Sequence, residues 1–98
     1  MVVGTGMIGL FLVQALKAAG CGYVLAVDLA EDKLSLAKEL GADETLVPGK
    51  DDVCATVRQA TEGEGAHFSM EAVGVTETVR LAIEVLRKGG STCLVGNL

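Results

Sequence analysis

The chain has 98 residues, of which 50% are apolar and 21% are charged, and its formal net charge is −5. A chain of this length forms at most one domain, and its apolar share is far above that of disordered proteins. The eight Lys and Arg residues are scattered along the sequence. Proteins that bind nucleic acids carry clustered basic residues, so we expect no nucleic-acid partner.

Cysteine spacing and hydropathy exclude further classes of protein. Cys21, Cys54 and Cys93 lie far apart, and the sequence has one histidine. This pattern favours neither a disulfide framework nor a zinc site, and it is typical of free thiols in a reducing, cytoplasmic setting. No apolar run approaches the ~20 residues of a membrane-spanning helix. A signal peptide is also disfavoured, because no basic segment precedes the apolar run at 7–13. We therefore expect no membrane partner.

The first predicted elements are a strand at the three N-terminal residues and a helix over 7–19. Helical periodicity predicts that the first helix buries one stripe, formed by Ile8, Phe11, Leu12, Ala15 and Ala19. Leu10 and Val13 fall outside this stripe and are expected to be exposed, either where a neighbouring domain would cover them or as isolated apolar residues of an ordinary surface.

Strands and helices alternate along the rest of the chain. The further strands are predicted at 23–28, 44–47, 67–71 and 91–95, and the further helices at 31–40, 52–61 and 76–86. The third helix is expected to begin at a cap formed by Asp51 and to bury Val53, Val57 and Ala60. The fourth is expected to bury Val79, Ala82, Ile83 and Leu86. Such an alternation predicts an α/β fold with a mainly parallel sheet.

Three glycines follow the first strand at the spacing G-x-G-x-x-G: Gly4, Gly6 and Gly9. In a dinucleotide-binding turn the first glycine permits the tight turn, the second lets a pyrophosphate approach, and the third packs the helix on the sheet. The helix then directs the N–H groups of Met7 and Ile8 at the phosphates. The sequence thus predicts a Rossmann-type doubly wound sheet with strand order 3-2-1-4-5 and helices on both faces.

An acidic residue, Asp28, ends the second predicted strand 19 residues after Gly9. A carboxylate there can accept both ribose hydroxyls of an adenosine and would repel a 2′-phosphate, which predicts NAD rather than NADP. Lys33 is placed to reach the same ribose. The fourth and fifth strands end in "EAVG" and "LVG", where Val73, Val75 and Val95 could contact the adenine and nicotinamide rings.

The segments "VVGTGMIGL", "VLAVDLAEDKLSLAKELGADETL", "EAVG" and "GGSTCLVG" resemble the cofactor domain of the zinc-type medium-chain alcohol and polyol dehydrogenases, nearest to the sorbitol-like enzymes. The likeness spans essentially the whole chain. It implies a dinucleotide-binding domain over 1–98, truncated from six strands to five. The resemblance assigns Gly4, Gly6, Met7, Ile8 and Gly9 to the pyrophosphate, Asp28 and Lys33 to the ribose, Gly74 to the adenine side, and the Val95 backbone to the nicotinamide carboxamide.

The chain departs from the family pattern at two places. His67 stands where an aspartate is usual, and Leu29-Ala30 has no capping side chain where a serine is common. We expect no catalytic role for His67, because no partner that could orient it is identifiable. The family's zinc ligands and proton relay are not found in this sequence. Catalytic zinc and the alcohol or polyol substrate are therefore expected in a catalytic domain outside it.

Three functions remain open at this stage. The first is the NAD-binding domain of a zinc-dependent dehydrogenase, the second a non-catalytic module that senses NAD, and the third a methyltransferase or flavin-binding domain. Each shares the glycine turn and the acidic strand end. The fifth strand is expected to form an exposed sheet edge, through which the chain would self-associate.

Overall fold

In the computed structural model, residues 1–96 are described, and five strands alternate with four helices among them. The strands are β1 (Val2–Val3), β2 (Leu25–Val27), β3 (Glu44–Leu46), β4 (Ala66–Glu71) and β5 (Leu86–Leu94). The helices are α1 (Met7–Ala18), α2 (Glu31–Glu39), α3 (Val53–Ala60) and α4 (Thr76–Glu84). No helix in this part of the chain has the length and apolar character needed to cross a membrane.

The strands form one parallel sheet in the order β3-β2-β1-β4-β5, which confirms the predicted fold class and topology. β1 lies at the centre, where Val2 is in register with Ala26 of β2 and with Met70 of β4. β5 pairs only with β4 among the described strands, so it is the expected edge. Self-association through that edge stays a prediction.

The core is divided between the two faces of the sheet. Val2, facing one side, packs in a cluster with Val13 of α1 and Leu34 of α2. Val3, facing the other side, packs with Val57 of α3 and Ala82 of α4. Successive strand residues point to opposite faces, so an all-apolar strand is suited to a sheet covered on both sides. The doubly wound architecture is therefore present, with two helices on each face.

Most of the predicted buried stripe of α1 is wrong, although Leu12 is half-buried against the core. Phe11 is 65% exposed and Ile8 is 55% exposed, whereas Val13 is fully buried. Ala15 and Ala19 are exposed too, and Leu10 is half-buried against the core. The helix is rotated because Gly9 lies directly against the backbone of Gly4. The residue one turn after Gly9 is Val13, which must then face the sheet.

Five smaller expectations are also corrected. Ala60 is exposed and Ile83 is 53% exposed, and Val85 is buried instead. The cap of α3 is Asp52, whose carboxylate accepts from Ala55 N, whereas Asp51 accepts from Val47 N and closes the preceding turn. β2 is shorter than the predicted strand, and β5 begins at Leu86 rather than at Ser91.

The hydroxyl of Tyr23 donates a hydrogen bond to the carboxylate of Glu44, and this contact raises the tyrosine pKa to about 12. Tyr23 is the only tyrosine and there is no tryptophan. An ultraviolet titration should therefore show a phenolate midpoint near 12 in the folded chain, returning towards 10.0 in Glu44→Gln. Because folding raises this pKa, the stabilisation is complete below pH 10.0 and is lost as the pH approaches 12. An unshifted midpoint in the unsubstituted chain would exclude the contact.

Candidate functional site

The turn between β1 and α1 is built around Gly4. Its φ is +98°, a backbone conformation that favours glycine. A Cβ atom at Gly4 would lie 2.6 Å from Cγ2 of Val73, in the loop after β4. The turn therefore leaves β1 tightly and runs against the neighbouring loop, as expected of the first glycine of the motif.

The other two glycines of the motif have opposite surroundings. A Cβ at Gly9 would lie 1.7 Å from the carbonyl oxygen of Gly4, so α1 approaches the turn as closely as a glycine allows. A Cβ at Gly6 would meet no heavy atom within 4 Å. Gly9 thus serves packing inside the protein, whereas Gly6 borders open space in front of the helix.

The N-terminus of α1 faces the same space. The first helical hydrogen bond runs from Leu10 N to the carbonyl oxygen of Gly6, at 2.9 Å, so the N–H groups of Met7, Ile8 and Gly9 lie outside the helical ladder. No acidic residue lies in the first turn. N–H groups outside the helical ladder and the helix dipole together favour an anion at this position.

Asp28 follows β2 and is hydrogen-bonded on both carboxylate oxygens. Oδ2 accepts from the backbone N–H of Thr5 at 2.7 Å and from its hydroxyl at 2.9 Å. Oδ1 accepts from Ala30 N at 2.9 Å, which anchors the start of α2 where a capping side chain is absent. A carboxylate has roughly four acceptor positions, so one position on Oδ1 remains for an external hydroxyl.

Asp28 is held in its charged form. Partial burial by itself raises its pKa, but the hydrogen bonds from Ala30 and Thr5 and the positive charge of Lys33 outweigh this effect, and the net pKa is lowered. Lys33 is exposed on α2 and acts on Asp28 through its charge. The site residues Asp28 and Lys33 thus form a polar, charged wall beside the glycine turn.

The loops after β4 and β5 form the other wall. Gly74 has a φ of +90° and donates its N–H to the Glu71 carboxylate at 2.8 Å. Val95 N donates to the Glu71 carbonyl oxygen at 2.8 Å. Val73, Val75 and Val95 are 46%, 45% and 40% exposed, respectively, so this wall offers apolar side chains. All these groups lie at the carboxyl edge of the sheet.

Two residues of the site were not identified from the sequence. Thr5, inside the glycine motif, is fully buried and links the turn to Asp28. Glu71, at the end of β4, is fully buried and binds the loop that follows it. A polar residue within an otherwise apolar segment was the available signal at both positions, but its partners depend on which strands lie side by side.

His67 lies at the amino end of β4, on the opposite edge from the glycine turn, where Nε2 is 2.8 Å from Nη1 of Arg87. A cavity of about 640 Å³ opens at that edge, among residues that include Met1, Tyr23 and Phe68. It contains none of the predicted site residues. Within residues 1–96, no three His, Cys, Asp or Glu side chains are grouped to hold a metal.

Residues 7–98 match the family model described as zinc-binding dehydrogenase. The chain is 36% identical to an L-threonine 3-dehydrogenase of Symbiobacterium thermophilum, covering 98% of this chain and 27% of that protein. It is 34% identical to a sorbitol dehydrogenase of Arabidopsis thaliana, covering 98% and 28%. Among solved structures, a protein of Sinorhizobium meliloti 1021, described as a zinc-binding dehydrogenase and bound to NADP, superimposes with a TM-score of 0.92. That match has 31% identity and covers 99% of this chain and 29% of the other.

Proposed function

The chain belongs to the zinc-binding dehydrogenase family, and we propose that it forms the NAD-binding domain of a zinc-dependent alcohol or polyol dehydrogenase. It spans just over a quarter of the length of the relatives it matches, 27% and 28% for the two above. The activity, the substrate and the cytoplasmic location of the complete enzyme are thus part of the proposal.

The observation that carries the proposal is the space at Gly6. A Cβ at either of the other two glycines of the motif, Gly4 or Gly9, would collide with neighbouring atoms, whereas a Cβ at Gly6 would meet nothing within 4 Å. The N–H groups of Met7 and Ile8, which precede the first bond of the helical ladder, border that space. A pyrophosphate fits these features, because it needs close backbone approach, N–H donors and a positive helix end.

The remaining contacts follow from the two walls. We propose that Asp28 accepts a hydroxyl of the adenosine ribose through Oδ1 and that Lys33 approaches the same sugar. Gly74 then lies on the adenine side, and the Val95 carbonyl meets the nicotinamide carboxamide, since its N–H already binds Glu71. When bound, the nicotinamide supplies hydride transfer, and the protein's part is to bind and orient it.

The preference for NAD rests on Asp28. A lowered pKa keeps this carboxylate charged at neutral pH, and the charge would repel the 2′-phosphate of NADP. The S. meliloti relative binds NADP on a closely similar fold. Discrimination between NAD and NADP must therefore come from individual side chains rather than from the fold. In this chain the side chain assigned to that role is Asp28, because Lys33 on α2 is exposed to solvent.

Zinc does not fit the described residues, since no group of three ligating side chains exists among residues 1–96. A catalytic zinc needs three protein ligands and an open position. We propose that zinc and the alcohol or polyol substrate bind to a part of the enzyme outside this sequence. The role of this chain is then to present the nicotinamide to that part.

Calorimetric titration of NAD⁺ and NADP⁺ into the chain tests the proposal. We expect NAD⁺ to bind at least about tenfold more tightly than NADP⁺, a difference of about 1.4 kcal/mol or more. Asp28→Asn should remove most of this preference, because it removes the negative charge while keeping an acceptor for Thr5 N. Binding of neither nucleotide by the folded chain would contradict the proposed function.

The matched control is Asp43→Asn. Asp43 also accepts from a backbone N–H, that of Val24 at 2.7 Å, and its pKa is also lowered, first by that hydrogen bond and then by Lys17. It precedes β3, however, and lies away from the glycine turn. The control should keep the NAD⁺ preference of the unsubstituted chain. An equal loss of preference in both variants would show that Asp28 does not select the cofactor.

A further inference from the structure

Glu71 is a carboxylic acid at the end of the β4 strand, and its side chain is fully buried. Burial of a carboxylate is costly unless donors surround it. Here Oε2 accepts from Gly74 N at 2.8 Å, from Val73 N at 3.2 Å and from the Thr78 hydroxyl at 2.5 Å. All three donors belong to the loop after β4 or to the first turn of α4.

The backbone of Glu71 holds a second loop. Its carbonyl oxygen accepts from both Val95 N and Gly96 N, each at 2.8 Å. Gly96 also packs on the carboxylate, since a Cβ there would lie 2.5 Å from Oε1 and 2.4 Å from Gly74 N. One residue thus joins the segment after β5 to the segment after β4.

The contact continues to the glycine turn. Val73, whose N–H binds Glu71, packs against Gly4 so closely that a Cβ at Gly4 would lie 2.6 Å from Val73 Cγ2. On the other side of the turn, Thr5 is bound to Asp28. The glycine turn is therefore flanked by two carboxylates, one acting through Thr5 and the other through Val73.

We propose that Glu71 is a positioning residue for the cofactor cleft: it fixes the loops at 72–75 and 95–96 against each other and against the glycine turn. This inference rests on the proposed function for the identity of the ligand, NAD. Glu71 itself does not touch the ligand, because its carboxylate is enclosed by the loops it holds.

The test compares Glu71→Gln with Ser69→Ala. Glutamine has the same size, but its amide NH₂ cannot accept from the N–H and O–H donors around it. Ser69 is buried in the same strand and binds the Ala82 carbonyl oxygen at 2.6 Å and the Thr92 hydroxyl at 2.7 Å, away from the cleft loops. Ser69→Ala is therefore the control, because it removes buried hydrogen bonds from the same strand and leaves the contacts of the cleft loops intact.

Two quantities are measured under conditions where each variant is folded: amide hydrogen exchange and the Kd for NAD⁺. In Glu71→Gln we expect faster exchange at Val73 and Gly74, which donate to the carboxylate, and at Gly96, which packs on it, together with a Kd raised roughly tenfold. Ser69→Ala should lower the melting temperature but leave these amides and the Kd unchanged. If Glu71→Gln does not fold, Thr78→Val takes its place. This substitution removes one donor and keeps the carboxylate, so it should produce a smaller change at the same amides.

Unchanged exchange in the cleft loops of Glu71→Gln would overturn the inference, as would an equal change in Ser69→Ala. If Thr78→Val folds and Glu71→Gln does not, unchanged exchange in the cleft loops of Thr78→Val would overturn the inference. Failure of the unsubstituted chain to bind NAD⁺ would instead overturn the proposed function. The exchange data would still establish whether Glu71 holds the loops together, so the two failures are distinguishable.

Discussion

Replacing Gly9 by alanine should destabilise the chain by more than about 3 kcal/mol, beyond the usual range for overpacking. The added Cβ would lie 1.7 Å from the carbonyl oxygen of Gly4 and 2.7 Å from its carbonyl carbon. Both are backbone atoms of the tight turn, so no side-chain rotation relieves the clash. Helix propensity alone predicts the opposite sign, because alanine is favoured over glycine inside a helix by about 1 kcal/mol. Urea unfolding followed by circular dichroism measures the change.

Gly22→Ala is the control for this substitution. A Cβ at Gly22 would meet no heavy atom within 4 Å, and Gly22 is not among the glycines with positive φ. Its stability should remain close to that of the unsubstituted chain. Equal or greater stability of Gly9→Ala would show that α1 does not pack on the glycine turn as described.

The same contact explains why the buried face of α1 could not be predicted from hydropathy. Apolar side chains at Ile8 and Phe11 suggested one face, yet the helix turns another towards the sheet. The deciding residue, Gly9, has no side chain and adds nothing to a hydropathy pattern. The close contact between Gly9 and the backbone of Gly4 therefore determines which face of α1 is buried, and that face carries Val13 instead of the most apolar stripe.

The topology was predictable because its signals are local. Short connections between alternating strands and helices require parallel pairing, and the glycine motif marks the first strand as central. Boundaries were less predictable where neighbouring residues are chemically equal. Asp51 and Asp52 are both suitable caps, and only the backbone geometry shows that Asp52 binds Ala55 N.

The placement of the candidate site residues was also predictable in part, where the signal is local. Asp28 was identified from its spacing to the glycines, which depends on one strand-helix-strand unit. The contacts of Glu71 with Gly96, and of Val73 with Gly4, join segments that are far apart in sequence. They arise only once β4 is placed between β1 and β5. The periodicity of a single sequence does not show which distant segments will lie side by side.

Replacing Gly6 by alanine should have the reverse profile of Gly9→Ala: nearly unchanged stability and a large loss of NAD⁺ binding. The new Cβ meets no protein atom within 4 Å, and the φ of −71° is accessible to alanine. Gly6 is the N-cap of α1, where the change to alanine costs well under about 2 kcal/mol. In the space where we propose the pyrophosphate, the same methyl group collides with the ligand. Overpacking of about 2–3 kcal/mol corresponds to roughly a 30- to 150-fold higher Kd.

Calorimetry with NAD⁺, together with urea unfolding of the same sample, separates the two effects in Gly6→Ala. Loss of binding with intact stability would locate the ligand at the glycine turn, because no protein contact is disturbed by the substitution. Asp28→Asn changes the charge beside the adenosine ribose and leaves the space at Gly6 open, so its effect on the ratio of NAD⁺ to NADP⁺ affinity should persist in the Gly6→Ala background wherever binding is still measurable. Unaltered NAD⁺ affinity in Gly6→Ala would place the dinucleotide away from the N-terminus of α1 and remove the main support for the proposed function.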